Sequence, residues 1–130
     1  MKTVGEVLQA KGRDIWSISP DATVYDALKL MAEKDVGGLL VIAGEKLVGI
    51  ITERDYARKI ILQGRSSVGT FIRDVMTQKV VNVRPEQSMK ECMRLMTDVR
   101  VRHLAVLDND QVVGLISIGD VLKEIMSESR

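Results

Sequence analysis

Shifted by 65 residues, the chain lies on itself. Pro20 meets Pro85, Leu30 meets Leu95, Met31 meets Met96 and Val36 meets Val101; Leu39 meets Leu104, Val41 meets Val106, and Val48-Gly49 meets Val113-Gly114. Ile51 meets Ile116, Asp55 meets Asp120 and Ile60 meets Ile125. Residues 19–60 against 84–125 give 11 identities in 42 ungapped pairs, where background composition would give roughly 3. A weaker echo, Val4-Gly5-Glu6-Val7-Leu8 with Ile72-Arg73-Asp74-Val75-Met76, runs at an offset of 68, so the first copy carries three extra residues within Gln9 to Asp14. This repeat constrains the fold more than any motif does. Each copy must make the same unit, and a unit of about 55 residues hardly buries enough apolar surface alone.

Each copy reads as β-α-β-β-α. Ile15-Trp16-Ser17-Ile18 is a short strand, ended by a turn at Ser19-Pro20-Asp21. Val24, Ala27, Leu28 and Met31 then fall at i, i+3, i+4 and i+7, one apolar face of a helix, and Met89, Cys92, Met93 and Met96 repeat that face. Strands are predicted over 39–43 and 47–51 with a tight turn at Gly44-Glu45, and over 103–107 and 112–116 with a turn at Asp108-Asn109-Asp110. A last helix is predicted over about 53–62, and over 118–126 in the second copy. The expected organisation is an N-terminal helix over 1–10, a first repeat over 11–66, a linker with a short helix over 67–75, and a second repeat over 76–130. The fold class is α+β. Two copies packed about a pseudo-two-fold would share one core and leave clefts between them.

Charge and composition exclude several functions. Lys plus Arg is 19 and Asp plus Glu is 18, for a net charge of +1, so there is no electrostatic footprint for nucleic acid or for an anionic membrane. Aromatic residues are 3% of the chain, too few for a base-stacking surface. The longest apolar stretch, Val36 to Ala43, holds two glycines and falls far short of the ~20 residues that span a bilayer. The opening Met1-Lys2-Thr3-Val4-Gly5-Glu6 has no apolar region of the secretory kind, so a soluble, cytoplasmic protein is expected. Cys92 and His103 are each the only residue of their type, so neither a disulfide within the chain nor a four-ligand zinc site is expected. No phosphate loop, dinucleotide glycine motif, H-E-x-x-H or G-x-S-x-G string is present, and no enzyme activity is expected.

What repeats most clearly is Gly49-Ile50-Ile51-Thr52-Glu53-Arg54-Asp55 with Gly114-Leu115-Ile116-Ser117-Ile118-Gly119-Asp120, each where a strand ends and a helix begins. A hydroxyl beside free backbone N–H groups at a positive helix end suits a phosphate. An aspartate three residues on can accept from two vicinal ribose hydroxyls. The same [ST]-x-x-[DE] spacing is also a capping box, and the chain uses it at Thr3/Glu6, Thr23/Asp26 and Ser88/Glu91. Spacing alone therefore leaves ligand binding and helix capping both open. The aspartate in place of the usual Glu or Gln, and the glycine in the preceding strand, favour a ligand.

A second feature is asymmetric. Gly37-Gly38 in the first copy stands where the second has Arg102-His103, just before a strand. A guanidinium binds phosphate bidentately, and paired glycines give a ligand access to backbone; a surface ion pair and an edge histidine are the plainer reading. Lys11, Arg13 and Arg54 are further cations near this region. Trp16, the one tryptophan, reads as core or cleft wall, with a face that could stack on a base. The methionine-rich helix faces and Cys92 read as packing.

A tandem β-α-β-β-α repeat whose strands close on G-h-h-[ST]-x-x-D resembles the CBS domain family. The residues that carry the resemblance are Val36-Gly37-Gly38-Leu39-Leu40-Val41 with Gly49 to Asp55, and Val101-Arg102-His103-Leu104-Ala105-Val106 with Gly114 to Asp120. Met76-Thr77 looks like the family's opening of a copy. The resemblance implies a stand-alone CBS pair, a regulatory module that binds an adenosyl ligand such as AMP, ADP, ATP, NAD(H) or S-adenosylmethionine. It implies a homodimer acting on a separate, unidentified protein, with no metal. By position it implies two sites. In one, Asp120 takes the ribose with Ser117 and Gly119, and the base lies near Lys11, Trp16, Val36 and Gly37. In the other, Asp55 takes the ribose with Thr52 and Arg54, and the base lies near Thr77, Val81 and Val101. Arg102 and His103 would reach phosphate. The alternative is an interaction scaffold that binds no nucleotide, in which both boxes only cap helices.

Overall fold

The computed structural model describes residues 1–12 and 14–128. Arg13, one of the cations named above, lies outside the described residues. In chain order the elements are α1 (Val4–Lys11), β1 (Ser17–Ile18), α2 (Val24–Lys34), β2 (Gly38–Ala43), β3 (Lys46–Thr52), α3 (Glu53–Asp55) and a π-helix (Tyr56–Ile61). A 3-10 turn (Ile72–Asp74), β4 (Asn82–Val83), α4 (Met89–Val99), β5 (His103–Asp108), β6 (Gln111–Ser117) and α5 (Ile118–Glu128) follow. The α+β class expected from the sequence is what the chain adopts.

The strands form two three-stranded sheets among the described residues, ordered β1-β2-β3 and β4-β5-β6. In both, the first pair is parallel and the second antiparallel. The copies agree in detail. The hairpin register shifts at Val41/Ile42 and again at Val106/Leu107. Asp35 and Arg100 end α2 and α4 in the same left-handed conformation, at φ 53° and 57°. The β5–β6 turn places both Asn109 and Asp110 at positive φ, as a two-residue hairpin with the twist of its strands requires.

Chain contacts divide the molecule into two compact units: Trp16–Val80, and Met1–Ile15 together with Val81–Arg130. Each unit therefore combines the body of one repeat with the leading segment of the other. In the first, Val24, Ala27, Met31, Leu39, Val41, Ile51 and Ile60 pack with Ile72 and Val75. In the second, Val83, Met89, Cys92, Met96, Leu104, Val106, Ile116 and Val121 pack with Val4, Val7 and Leu8 of α1. The repeated glycine of β3 and β6 explains how the leading segment fits. A Cβ on Gly49 would fall 2.8 Å from Met76 Sδ and 2.9 Å from the Thr77 carbonyl oxygen. One on Gly114 would fall 2.6 Å from a Leu8 methyl.

The helix predicted over 53–62 differs in kind: three α-helical residues open into a π-helix. Within it Ile60 is fully buried and the Lys59 ammonium is held by three acceptors. The strand predicted over 15–18 pairs regularly only at Ser17–Ile18, although the Trp16 carbonyl still accepts from Leu40 N at 3.3 Å. Thr3/Glu6, Thr23/Asp26 and Ser88/Glu91 are all reciprocal capping boxes.

Candidate functional site

In the first unit, β3 delivers Thr52 to the start of α3. The Thr52 amide and hydroxyl donate to Asp55 Oδ2 at 2.9 and 3.1 Å, and Asp55 N donates back to Thr52 Oγ1 at 3.2 Å. The other oxygen is engaged as well. Asp55 Oδ1 accepts from the Thr77 hydroxyl at 2.9 Å and lies 3.1 Å from Lys59 Nζ. Lys59 Nζ also donates to the Val75 carbonyl at 2.8 Å and to Thr77 Oγ1 at 3.4 Å. Thr77 is held in place by mutual backbone hydrogen bonds with Ile50, each 2.9 Å. A carboxylate has about four lone-pair positions; those of Asp55, which is only 8% exposed, face donors of this chain.

In the second unit, β6 delivers Ser117 to the start of the eleven-residue α5. Ser117 N donates to Asp120 Oδ2 at 2.8 Å and Asp120 N donates to Ser117 Oγ at 3.2 Å. Lys11, the last residue of α1, bonds the same Oδ2 at 2.7 Å and the Leu115 carbonyl at 3.2 Å. Asp120 Oδ1 has no partner among the described residues, and the side chain keeps 19% of its surface exposed. Gly119 is exposed, and a Cβ there would make only an ordinary 3.5 Å contact with Ser117 Oγ. Packing does not demand glycine at 119. Its effect is to leave the first turn of α5 uncovered beside Asp120.

The remaining expected residues divide between the units. Arg102 is exposed, and its carbonyl accepts from Ile118 N at 2.8 Å. His103 opens β5 opposite Ser117 and is half-buried. Val81 and Val101 are half-buried against the core that includes α1. In the other unit, the Gly37 carbonyl accepts from Glu53 N at 3.1 Å, beside the box of Thr52. Arg54 is exposed on α3, and Val36 packs against the core with Trp16. Lys34 Nζ lies 4.5 Å from the centre of the Trp16 ring, so one face of the indole already carries a cation. The fold thus joins Lys11, Ser117, Gly119 and Asp120 around one carboxylate, and Thr52, Asp55 and Thr77 around the other. Sequence reasoning missed Lys59. Its only signal was the i, i+4 spacing from Asp55.

Among the described residues no group of His, Cys, Asp and Glu could hold a metal ion, and no helix is long and apolar enough to cross a membrane.

Two stretches, 4–62 and 72–127, match the family model of the CBS domain. A mitochondrial CBS domain-containing protein of Arabidopsis thaliana, CBSX3, is 45% identical over 98% of this chain and 66% of its own length. An uncharacterised protein of Methanopyrus kandleri is 32% identical over 93% of this chain and 61% of its own length. This chain therefore spans about two thirds of those relatives. The compartment in the plant protein's name leaves the cytoplasm a sequence expectation. The CBS domain-containing protein YhcV of Bacillus subtilis is 32% identical over 85% of this chain and 79% of its length. A solved protein with CBS domains from Burkholderia ambifaria superposes with a TM-score of 0.95 at 51% identity, over 99% of this chain and 97% of that one. The CBS domain pair of protein MJ0100, solved with 5′-methylthioadenosine and S-adenosyl-L-methionine, superposes at a TM-score of 0.87 over 98% of each chain; at 21% identity this is a likeness of fold. With two copies of the family model covering most of its length, this chain belongs to the CBS domain family.

Proposed function

We propose that this chain is a regulatory module without catalysis of its own, binding an adenosine-containing ligand (AMP, ADP, ATP or NAD(H)) at Asp120 and signalling to a separate protein, as a homodimer. The observation that carries this is Asp120 itself. It is positioned by Ser117 and Lys11 through one oxygen, while Oδ1 has no partner among the described residues. A vicinal ribose diol offers the donors that such an oxygen lacks. The Lys11 ammonium and the N-terminal turn of α5 are cationic in sense and suit the phosphate of the same ligand. One protein of this fold, MJ0100, holds adenosyl compounds.

A second reading has one observation in its favour: both boxes are reciprocal caps, as are the three elsewhere in the chain. On that reading the protein is an interaction scaffold. Calorimetric titration of nucleotide-stripped protein with AMP, ATP, NAD, NADH and S-adenosylmethionine separates the two. The sensor reading expects binding by at least one, weakened roughly 10- to 150-fold in Asp120→Ala by loss of a charge-assisted hydrogen bond. Equal binding by the variant refutes the role of Asp120. No binding by any of the five leaves the scaffold.

A further inference from the structure

We infer that Lys59 is an internal ligand of the first box that closes Asp55 to ribose, so that the chain takes one adenosine-containing ligand rather than two. The inference rests on the adenosine-binding reading above. A ribose diol needs acceptors on the carboxylate, and those of Asp55 are filled by Thr52, Thr77 and Lys59. Thr52 and Thr77 are neutral donors set by the local backbone. Lys59 differs: its charge makes it the stronger competitor against neutral hydroxyls. Its ammonium also gains from the Val75 carbonyl and Thr77 Oγ1, which a ligand displacing it would have to forfeit. All of these contacts lie within the one unit Trp16–Val80. The second copy lacks the device. The position 65 residues after Lys59 is Glu124, which cannot donate to a carboxylate when ionised. Its aspartate is met instead by Lys11, which bonds only Oδ2.

The test is calorimetric stoichiometry with the same five compounds on the full chain, Lys59→Met, and Lys59→Met combined with Asp120→Ala. Lys59→Met retains most of the aliphatic length of the side chain and removes the ammonium; Lys59→Leu, which likewise carries no donor, is the second variant should the first fail to fold, judged by circular dichroism. One equivalent per chain is expected for the wild type, two for Lys59→Met, and one for the combined variant, now at Asp55. Two equivalents on the wild type, or a stoichiometry unchanged in both Lys59 variants, overturns the inference while leaving the adenosine-binding reading intact. Absence of binding by every protein with every compound overturns both.

Discussion

Asp55 and Asp120 occupy matched positions in a repeat, yet truncating them is expected to have unequal consequences. Asp55→Ala removes the acceptor for the Thr52 amide, the Thr52 hydroxyl and the Thr77 hydroxyl, all part-buried, and the ion-pair partner of Lys59. Hydrogen bonds to a charged group contribute about 1.5–3 kcal/mol each, but bonds sharing one carboxylate do not add. The Lys59 ammonium keeps its bonds to Val75 and Thr77 in this variant and, with 41% of its side chain exposed, can turn to solvent, so the lost ion pair adds little to the change in stability. The net expectation is a loss of roughly 3–4 kcal/mol. Asp120→Ala removes the bond to Ser117 N and a bond to a Lys11 side chain that is 40% exposed. That is a loss of roughly 1–2 kcal/mol, in the range of a helix cap. Urea unfolding followed by the fluorescence of the single Trp16 measures both. At a slope of about 1.5 kcal/mol per molar urea, the midpoint should fall by about 2 M for Asp55→Ala and by about 1 M for Asp120→Ala. Ligand affinity should move in the other order, with the larger loss in Asp120→Ala. Equal destabilisation of the two variants, or greater destabilisation by Asp120→Ala, would refute the reasoning that the first carboxylate is a structural hub and the second is held in reserve.

Two further perturbations follow from the geometry. Gly49→Ala should cost roughly 2–4 kcal/mol, because its Cβ meets the Thr77 backbone as well as Met76, whereas Gly114→Ala should cost less, roughly 1–2 kcal/mol, because only the Leu8 side chain must move; a urea midpoint lowered as much or more by Gly114→Ala would contradict the contact. Burial, with a smaller push from Glu91, raises the Cys92 thiol from 9.0 to about 11. A thiol that keeps its proton in the folded state stabilises the fold fully below about pH 9, and that stability is lost as pH rises toward 11 and the unfolded thiol ionises. At pH 8 a disulfide reagent should therefore label Cys92 only as fast as the chain unfolds, and rapid stoichiometric labelling of native protein would show the thiol to be accessible.

Much of this fold is legible in the sequence because its signals are local. The identities between Val36 and Asp55 and their counterparts mark two hairpins, which form with matched registers and matched bulges. Every [ST]-x-x-[DE] spacing noted becomes a reciprocal box, since the groups involved are three residues apart and need no tertiary contact. The repeated glycine was visible too, but not its reason. Gly49 admits Met76 and Thr77, and Gly114 admits Leu8, from segments far away along the chain.

The sequence by itself determined the two copies, the order of strands and helices within each, and the two carboxylates placed three residues after a hydroxyl. Only the tertiary structure decided that α1 packs with the second repeat and the Ile72–Thr77 segment with the first. That exchange makes the boxes unequal. It brings Lys11 to Asp120 across 109 residues of sequence, and it brings Thr77 and Val75 to Asp55 and Lys59. Local spacing encodes a cap through nearest neighbours. The occupancy of a carboxylate's remaining lone pairs depends on which distant segment folds against it, and no periodicity within one copy carries that information.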